Sequence, residues 1–126
     1  MNFKSCVLTL VMLIASPAWA VWEEVATGAS GSVAYIDPAT IKKDGALRRV
    51  WGLSDIANPT SGGVLSRKLL REIDCKNEKA RILTLVSYSK AMGDGVVLGS
   101  DNDVGQWDYI VPDSVLALIY KRVCFN

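Results

Sequence analysis

Pro112-Asp113-Ser114-Val115-Leu116-Ala117-Leu118-Ile119-Tyr120-Lys121-Arg122-Val123-Cys124 is the stretch on which the fold turns. Pro112, Asp113 and Ser114 are helix-start residues, and apolar side chains then recur at helical spacing from Val115 to Val123. At about 100° per residue, Val115, Ile119, Val123, Leu116, Tyr120 and Cys124 spread in that order across one broad face, with Lys121, Leu118 and Arg122 opposite. A helix with an apolar face and a thiol at its edge needs a surface to rest on. Everything upstream reads as strands, so that surface is a sheet. Whether Cys75 meets Cys124 there is the next question.

Working back to the N-terminus, Met1 to Lys4 brings one positive charge, Val7 to Ala15 is an apolar run, and Ser16-Pro17-Ala18-Trp19-Ala20 ends in a small-x-small pattern. That is the make-up of a secretory signal peptide, with cleavage expected between Ala20 and Val21. The run is too short for a membrane span, so no span is expected once it is removed. A lipoprotein signal requires a cysteine directly after the apolar run. Cys6 precedes it, so no lipid anchor is expected either. The domain reading is therefore residues 1–20 as signal and residues 21–126 as one domain.

Without residues 1–20 the chain has 106 residues (126 less 20), enough for one modest core. Its basic residues fall from 14 to 13 with the loss of Lys4, against 13 acidic ones. A formally neutral domain argues against nucleic acid as a partner, since phosphate binding draws on a net basic surface. There is no histidine. Only Cys75 and Cys124 of the three cysteines remain, which points to one disulfide in an exported protein rather than two free thiols, a metal site or a cysteine nucleophile with its base. Closing so long a loop stabilises by about 3 to 5 kcal/mol in the chain-entropy model. No cofactor or metal is expected.

The strands are predicted at Val21–Ala26, Ser32–Ile36, Leu47–Ile56, Val64–Cys75, Arg81–Ser89 and Val96–Leu98, after which Trp107–Val111 leads on to Pro112 and the helix. Asp37-Pro38 stops the second, with Asp37 placed to take a nearby backbone N–H. Asp44-Gly45 marks a tight turn, and Ala57 to Gly63 is dense enough in breakers to be a hairpin loop. Along Val64–Cys75 the alternation puts Leu69, Ile73 and Cys75 on one face, the face expected beneath the C-terminal helix. In the next strand Leu83 and Leu85 are expected on one side, with Ile82, Val86 and Tyr88 on the other. A strand apolar on both faces leaves one face for the helix. The second must meet the sheet curling back, a ligand or a partner subunit, and a homodimer is one such cover.

Residues with the chemistry for catalysis are sparse. Asp101, Asn102 and Asp103 start like a calcium loop, but Gly105 stands at the next ligand position and Pro112 at the twelfth, so a solvated acidic turn is the better reading. Glu23 and Glu24, as neighbours on a strand, point to opposite faces. Ser87 and Ser89 near Lys90 sit in no nucleophile elbow and read as surface serines. Arg48, Arg49, Arg67, Lys68 and Arg71 cluster in mid-chain on adjacent predicted strands. They read either as a binding patch for acidic partners or sulfated glycans, or as a solvated, edge-protecting face.

The ordered set Trp22, Tyr35-Ile36-Asp37-Pro38-Ala39-Thr40-Ile41, Val50-Trp51-Gly52-Leu53, Ser66, Asp74-Cys75, Tyr88-Ser89, Met92-Gly93-Asp94-Gly95, Trp107, Val111-Pro112-Asp113-Ser114 and Cys124 resembles the surface-adhesin protein E family, exported domains of Gram-negative bacteria. The resemblance spans residues 21–124. It implies an α+β fold: a single antiparallel sheet of about six strands, one C-terminal helix packed on its concave face, a Cys75–Cys124 tether, and a tendency to dimerise. Val115, Leu116, Ile119 and Val123 would be the packed face. The family's name-giving member is a lipid-anchored adhesin of the outer membrane that binds host matrix proteins. Without the lipid-modified cysteine, a soluble periplasmic or secreted protein is implied here. The function expected is a non-enzymatic binding module of the cell envelope with a protein partner, from the host matrix or the envelope itself. The alternative is a soluble periplasmic structural or accessory protein.

Overall fold

The structure, a computed structural model, describes residues 10–14 and 21–125. The signal-peptide reading, with the Ala20 side of its cleavage point, falls largely outside the described residues. The strands are β1 (Glu23–Thr27), β2 (Val33–Ile36), β3 (Lys42–Asp44), β4 (Leu47–Asp55), β5 (Ser66–Asp74), β6 (Lys79–Tyr88), β7 (Val97–Asp101) and β8 (Asp108–Tyr109), followed by the helix α1 (Val115–Cys124). They form one sheet in the order β1-β2-β4-β5-β6-β7, with β3 added beside β4 and β8 beside β6. Every pairing is antiparallel.

The sheet thus has eight strands where about six were expected. The two additional ones are very short. The segment before Gly45 pairs back on β4, Lys42 opposite Arg49 and Asp44 opposite Leu47, and Gly45 supplies the positive φ of 57° that this turn needs. Asp108 and Tyr109 pair with Ala80 and Lys79 along the stretch of β6 that β7 does not reach. Two or three residues are too few for alternation to register.

The centre is the β4–β5 hairpin, paired without interruption from Leu47 opposite Asp74 to Asp55 opposite Ser66. The breaker-rich loop from Ala57 to Gly63 connects them, as expected. Between β5 and β6 the register shifts: Leu70 faces Thr84 but Arg71 faces Ile82, leaving Leu83 as the bulged residue. An extra residue reverses the alternation on one side of it. Ile82 therefore shares a face with Leu85, not with Val86 and Tyr88 as strict alternation predicted.

One face of the sheet meets α1. Ile36, Val50, Ile73 and Ala80 of the sheet pack with Ile119, Tyr120 and Val123 of the helix, and Cys75, Val115, Leu116 and Cys124 pack at the margin. Each large aliphatic side chain buried this way contributes about 1.5–3 kcal/mol. Leu118, assigned to the outer face by its phase, is 47% exposed. Ile73 and Cys75 lie beneath the helix as expected. Leu69 is buried but stands outside this cluster, because ten helical residues reach only about 15 Å and cannot cover a nine-residue strand.

Local chemistry begins and ends the helix where the sequence indicates. The Ser114 hydroxyl oxygen accepts the Ala117 N–H at 3.1 Å and donates to the Val111 carbonyl at 2.6 Å, the N-cap role. Lys121 and Arg122 occupy the last turn, where positive charge suits the carbonyl end of the dipole. Arg122 also reaches Glu23 of β1 at 2.7 Å. Cys75 and Cys124 form a disulfide across 49 positions, tying the end of β5 to the end of α1.

Candidate functional site

Among the described residues no α-helix covers the face turned away from α1. The register assigns it Tyr35 from β2, Arg49, Trp51 and Leu53 from β4, Ser66, Lys68, Leu70 and Glu72 from β5, and Arg81, Val86 and Tyr88 from β6. Most of these are half-buried rather than buried. Within this face Trp22, Asp37, Thr40, Trp51, Lys68, Val86 and Tyr88 line an open depression of about 260 Å³.

Its floor is held by the Asp37–Thr40 corner. The Asp37 N–H donates to the Trp51 carbonyl at 3.0 Å, and the Trp51 N–H donates to the Thr40 hydroxyl oxygen at 3.0 Å. That hydroxyl in turn donates to the Asp37 carbonyl at 2.7 Å. The Asp37 carboxylate accepts the Ala39 N–H at 3.1 Å, the local bond expected of it. This corner fills the gap along β4 between β3 and β2, so Trp51 stands on a fully bonded backbone.

Next to the depression, the Lys90–Val96 loop packs against the stem of Lys68. The Ser66 hydroxyl, fully buried, donates to the Lys90 carbonyl at 2.6 Å and accepts the Gly93 N–H at 2.8 Å. The Met92 N–H donates to Asp55 at 3.0 Å. Gly93 has φ of 73°, and a Cβ there would lie 2.5 Å from Lys68 Cε, so the loop presses on the lysine stem. Lys68 Nζ lies 5.2 Å from the centroid of the Tyr88 ring, within cation–π range.

Beside the depression sits a charge network. Glu72 is 2% exposed and accepts from Arg49 Nε at 2.9 Å and Arg81 Nη2 at 2.7 Å. Burial alone would raise its pKa, but the hydrogen bonds and charges of Arg49 and Arg81 outweigh that and hold it below the ordinary carboxylate value. The Arg81 guanidinium stacks on Trp107 at 4.4 Å, and Lys79 Nζ lies 4.6 Å from the Tyr109 ring centroid.

The five basic residues of the candidate patch are divided by the register. Arg49 and Lys68 stand on the open face; Arg48, Arg67 and Arg71 stand on the helix side. Arg48 donates to the Gly45 and Leu47 carbonyls at the β3–β4 turn. Arg71 lies over Gly52, where an added Cβ would be 2.7 Å from its Nη1, and burial lowers its pKa. The five are therefore not brought into one patch. Adjacent strands looked sufficient in the sequence, but alternation sends their residues to opposite sides. Of the acidic residues, Asp101 accepts the Asp103 N–H at 2.8 Å, and Glu23 turns to the helix while Glu24 faces Tyr35.

Trp22, Thr40, Val86 and Tyr88 were not singled out as a group by the sequence reading. All but Val86 occur in the ordered motif set, but nothing in their spacing shows that they converge. Their convergence depends on the β1–β2–β4–β5–β6 order.

A single antiparallel sheet with one helix disulfide-pinned to one of its faces defines a small α+β module. The chain belongs to the surface-adhesin protein E family, whose model matches residues 22–125. Its fold is similar to that of Haemophilus influenzae protein E, with a TM-score of 0.66 at 13% identity, covering 85% of this chain and 86% of that one. A second crystal form of the same protein gives a TM-score of 0.65 at 14% identity, over 85% and 89% of the two chains. Protein E from non-typeable Haemophilus influenzae gives 0.64 at 13% identity, over 87% and 79%. At such identities the likeness is one of fold. No curated protein sequence matches the chain. Among the described residues no helix is long and apolar enough to cross a membrane. Family membership makes this an exported or surface-located protein of adhesin type.

Proposed function

We propose that the chain is a non-enzymatic binding module of the cell envelope that engages a protein partner through the sheet face left open by the helix. The observation behind this reading is the half-buried surface formed by Trp22, Trp51, Val86 and Tyr88, apolar area of the kind that marks interaction sites. Residues 1–20 act as a signal cleaved between Ala20 and Val21, and the domain works in the periplasm or after secretion. The helix lies on the concave side of the sheet, and two copies associate as a homodimer. The non-enzymatic reading draws on the buried polar groups: Asp37, Ser66 and Glu72 are each engaged in structural hydrogen bonds.

The test uses immobilised protein with its disulfide intact, offered purified extracellular-matrix proteins in one arm and a periplasmic extract in the other. A specific ligand retained by wild type and by Leu118→Ser on the outer helix face, and lost by Trp22→Ala, is the expected result. Capture unaffected by Trp22→Ala would place binding elsewhere and end this reading. The arm that supplies the ligand decides between a host-matrix and an envelope partner.

A further inference from the structure

Resting on the open-face reading, we infer that the depression at Trp51 is a seat for an acidic, aromatic-bearing segment of a polypeptide partner, with the apolar side chain in the depression and the neighbouring carboxylate on Lys68. The inference starts from which polar groups of the lining are still available. The Thr40 hydroxyl both donates and accepts within the corner. The Asp37 side chain bonds Ala39 and the residue is only 7% exposed. The hydroxyl has little left to offer a ligand, and the carboxylate can only accept. Among the described residues Lys68 belongs to none of the ion pairs, and its ammonium sits by the Tyr88 ring at the rim.

The site therefore has aromatic and aliphatic walls from Trp22, Trp51, Val86 and Tyr88 and one unpaired cation. A sugar, with hydroxyls around its whole ring, would have to be held by the indole N–H groups of Trp22 and Trp51 and the Tyr88 hydroxyl, which maltotriose tests. A Phe or Leu side chain needs only the walls, and an adjacent Asp or Glu supplies the countercharge. Arg49 and Arg81 are both committed to Glu72, which leaves Lys68 as the cation of the lining that an acidic chain would meet. The volume of about 260 Å³ lies just under the range of small-molecule sites, roughly 300–1,000 Å³, and suits one large side chain.

The test follows the indole N–H resonances of the ¹⁵N-labelled, disulfide-intact protein exported by an expression host. The probes are acetyl-Gly-Phe-Glu-Gly-amide, its Phe-Lys and Ala-Glu counterparts, and maltotriose. The Phe-Glu peptide is expected to shift the Trp22 and Trp51 signals in a saturable way and to leave Trp107 unmoved. Lys68→Met, which keeps the stem under Gly93, should weaken that peptide at least about fivefold without weakening the Phe-Lys one. Trp22 precedes β1, so Trp22→Ala removes a wall without touching a strand, and it should abolish the shift at Trp51. Equal binding of the Phe-Lys or Ala-Glu peptide, a response to maltotriose alone, or no saturable shift would overturn the inference. If the Phe-Glu peptide fails while Trp22→Ala still abolishes capture of the macromolecular partner, this assignment falls and the open-face reading stands.

Discussion

The Tyr120 hydroxyl donates to the carbonyl oxygen of Cys75 at 3.0 Å, so the residue that starts the disulfide is also held by the helix that the disulfide pins. Covalent and hydrogen-bonded ties act on one point. Replacing Cys75 and Cys124 together by serine should cost about 4 kcal/mol in urea unfolding, from the loop entropy released in the unfolded chain. Tyr120→Phe should cost about 1 kcal/mol in the oxidised protein and less in the serine variant, a coupling that a double-mutant cycle reads directly. Additive costs would show the two ties to be independent.

Acid should unfold the protein through Glu72 and Asp74. The Asp74 carboxylate accepts from Asn77 Nδ2 at 2.9 Å and from the Asn77 and Lys76 N–H groups, and these bonds, the Asn77 side chain foremost, lower its pKa from the ordinary 3.8. Glu72 is lowered from 4.5. A depressed folded-state pKa adds stability that is complete above the unfolded value and drains as pH falls through the folded one. Thermal midpoints should therefore hold down to about pH 4.5 and decline below it. Glu72→Gln should be less stable at pH 7 and show a shallower decline. A midpoint flat from pH 5 to 2 would contradict this.

Gly52→Ala should destabilise by about 1–3 kcal/mol, because the new methyl would meet Arg71 Nη1 at 2.7 Å and the Tyr35 carbonyl at 3.2 Å. The guanidinium can move and the carbonyl cannot. Combining it with Arg71→Met is expected to cost less than the two single changes summed. A fully additive pair would show that the guanidinium does not occupy that space.

Ser66→Ala leaves the Lys90 carbonyl and the Gly93 N–H without their shared partner. Loss of roughly 1–3 kcal/mol is expected. Hydrogen exchange should quicken most between Lys90 and Val96. Uniform acceleration across the sheet would mean that Ser66 serves the core rather than the loop.

Among the described residues β7 is an edge of the sheet, with Val97 58% exposed, and an unguarded apolar edge invites pairing with another chain. Val97→Lys should leave stability within about 0.5 kcal/mol and lower the average mass in light scattering at high concentration. An unchanged mass would remove the edge from any self-association.

Periodicity was enough to place α1 within a residue, together with its inward face and its Ser114 cap, because helix phase and capping are set by neighbours a few positions apart. It was also enough for the long central strands and the Asp37 corner. It missed β3 and β8, whose two or three residues acquire strand geometry only from the partner beside them. It mis-sided Ile82, because a bulge at Leu83 is a property of the pairing rather than of either strand. The five basic residues divide between the faces for a related reason: which face Arg71 or Lys68 takes follows from alternation, but what shares that face follows from register.

What the sequence by itself determined is local in origin or statistical in kind: helix phase, turn positions, a neutral domain, a cysteine pair, and a family pattern legible from motif order. Only the tertiary structure decided that Trp22, Thr40, Trp51, Lys68 and Tyr88 share one depression and that Cys75 and Tyr120 meet. Those residues lie on elements joined by strand order and register, and long-range pairing leaves no periodic trace in the chain that makes it.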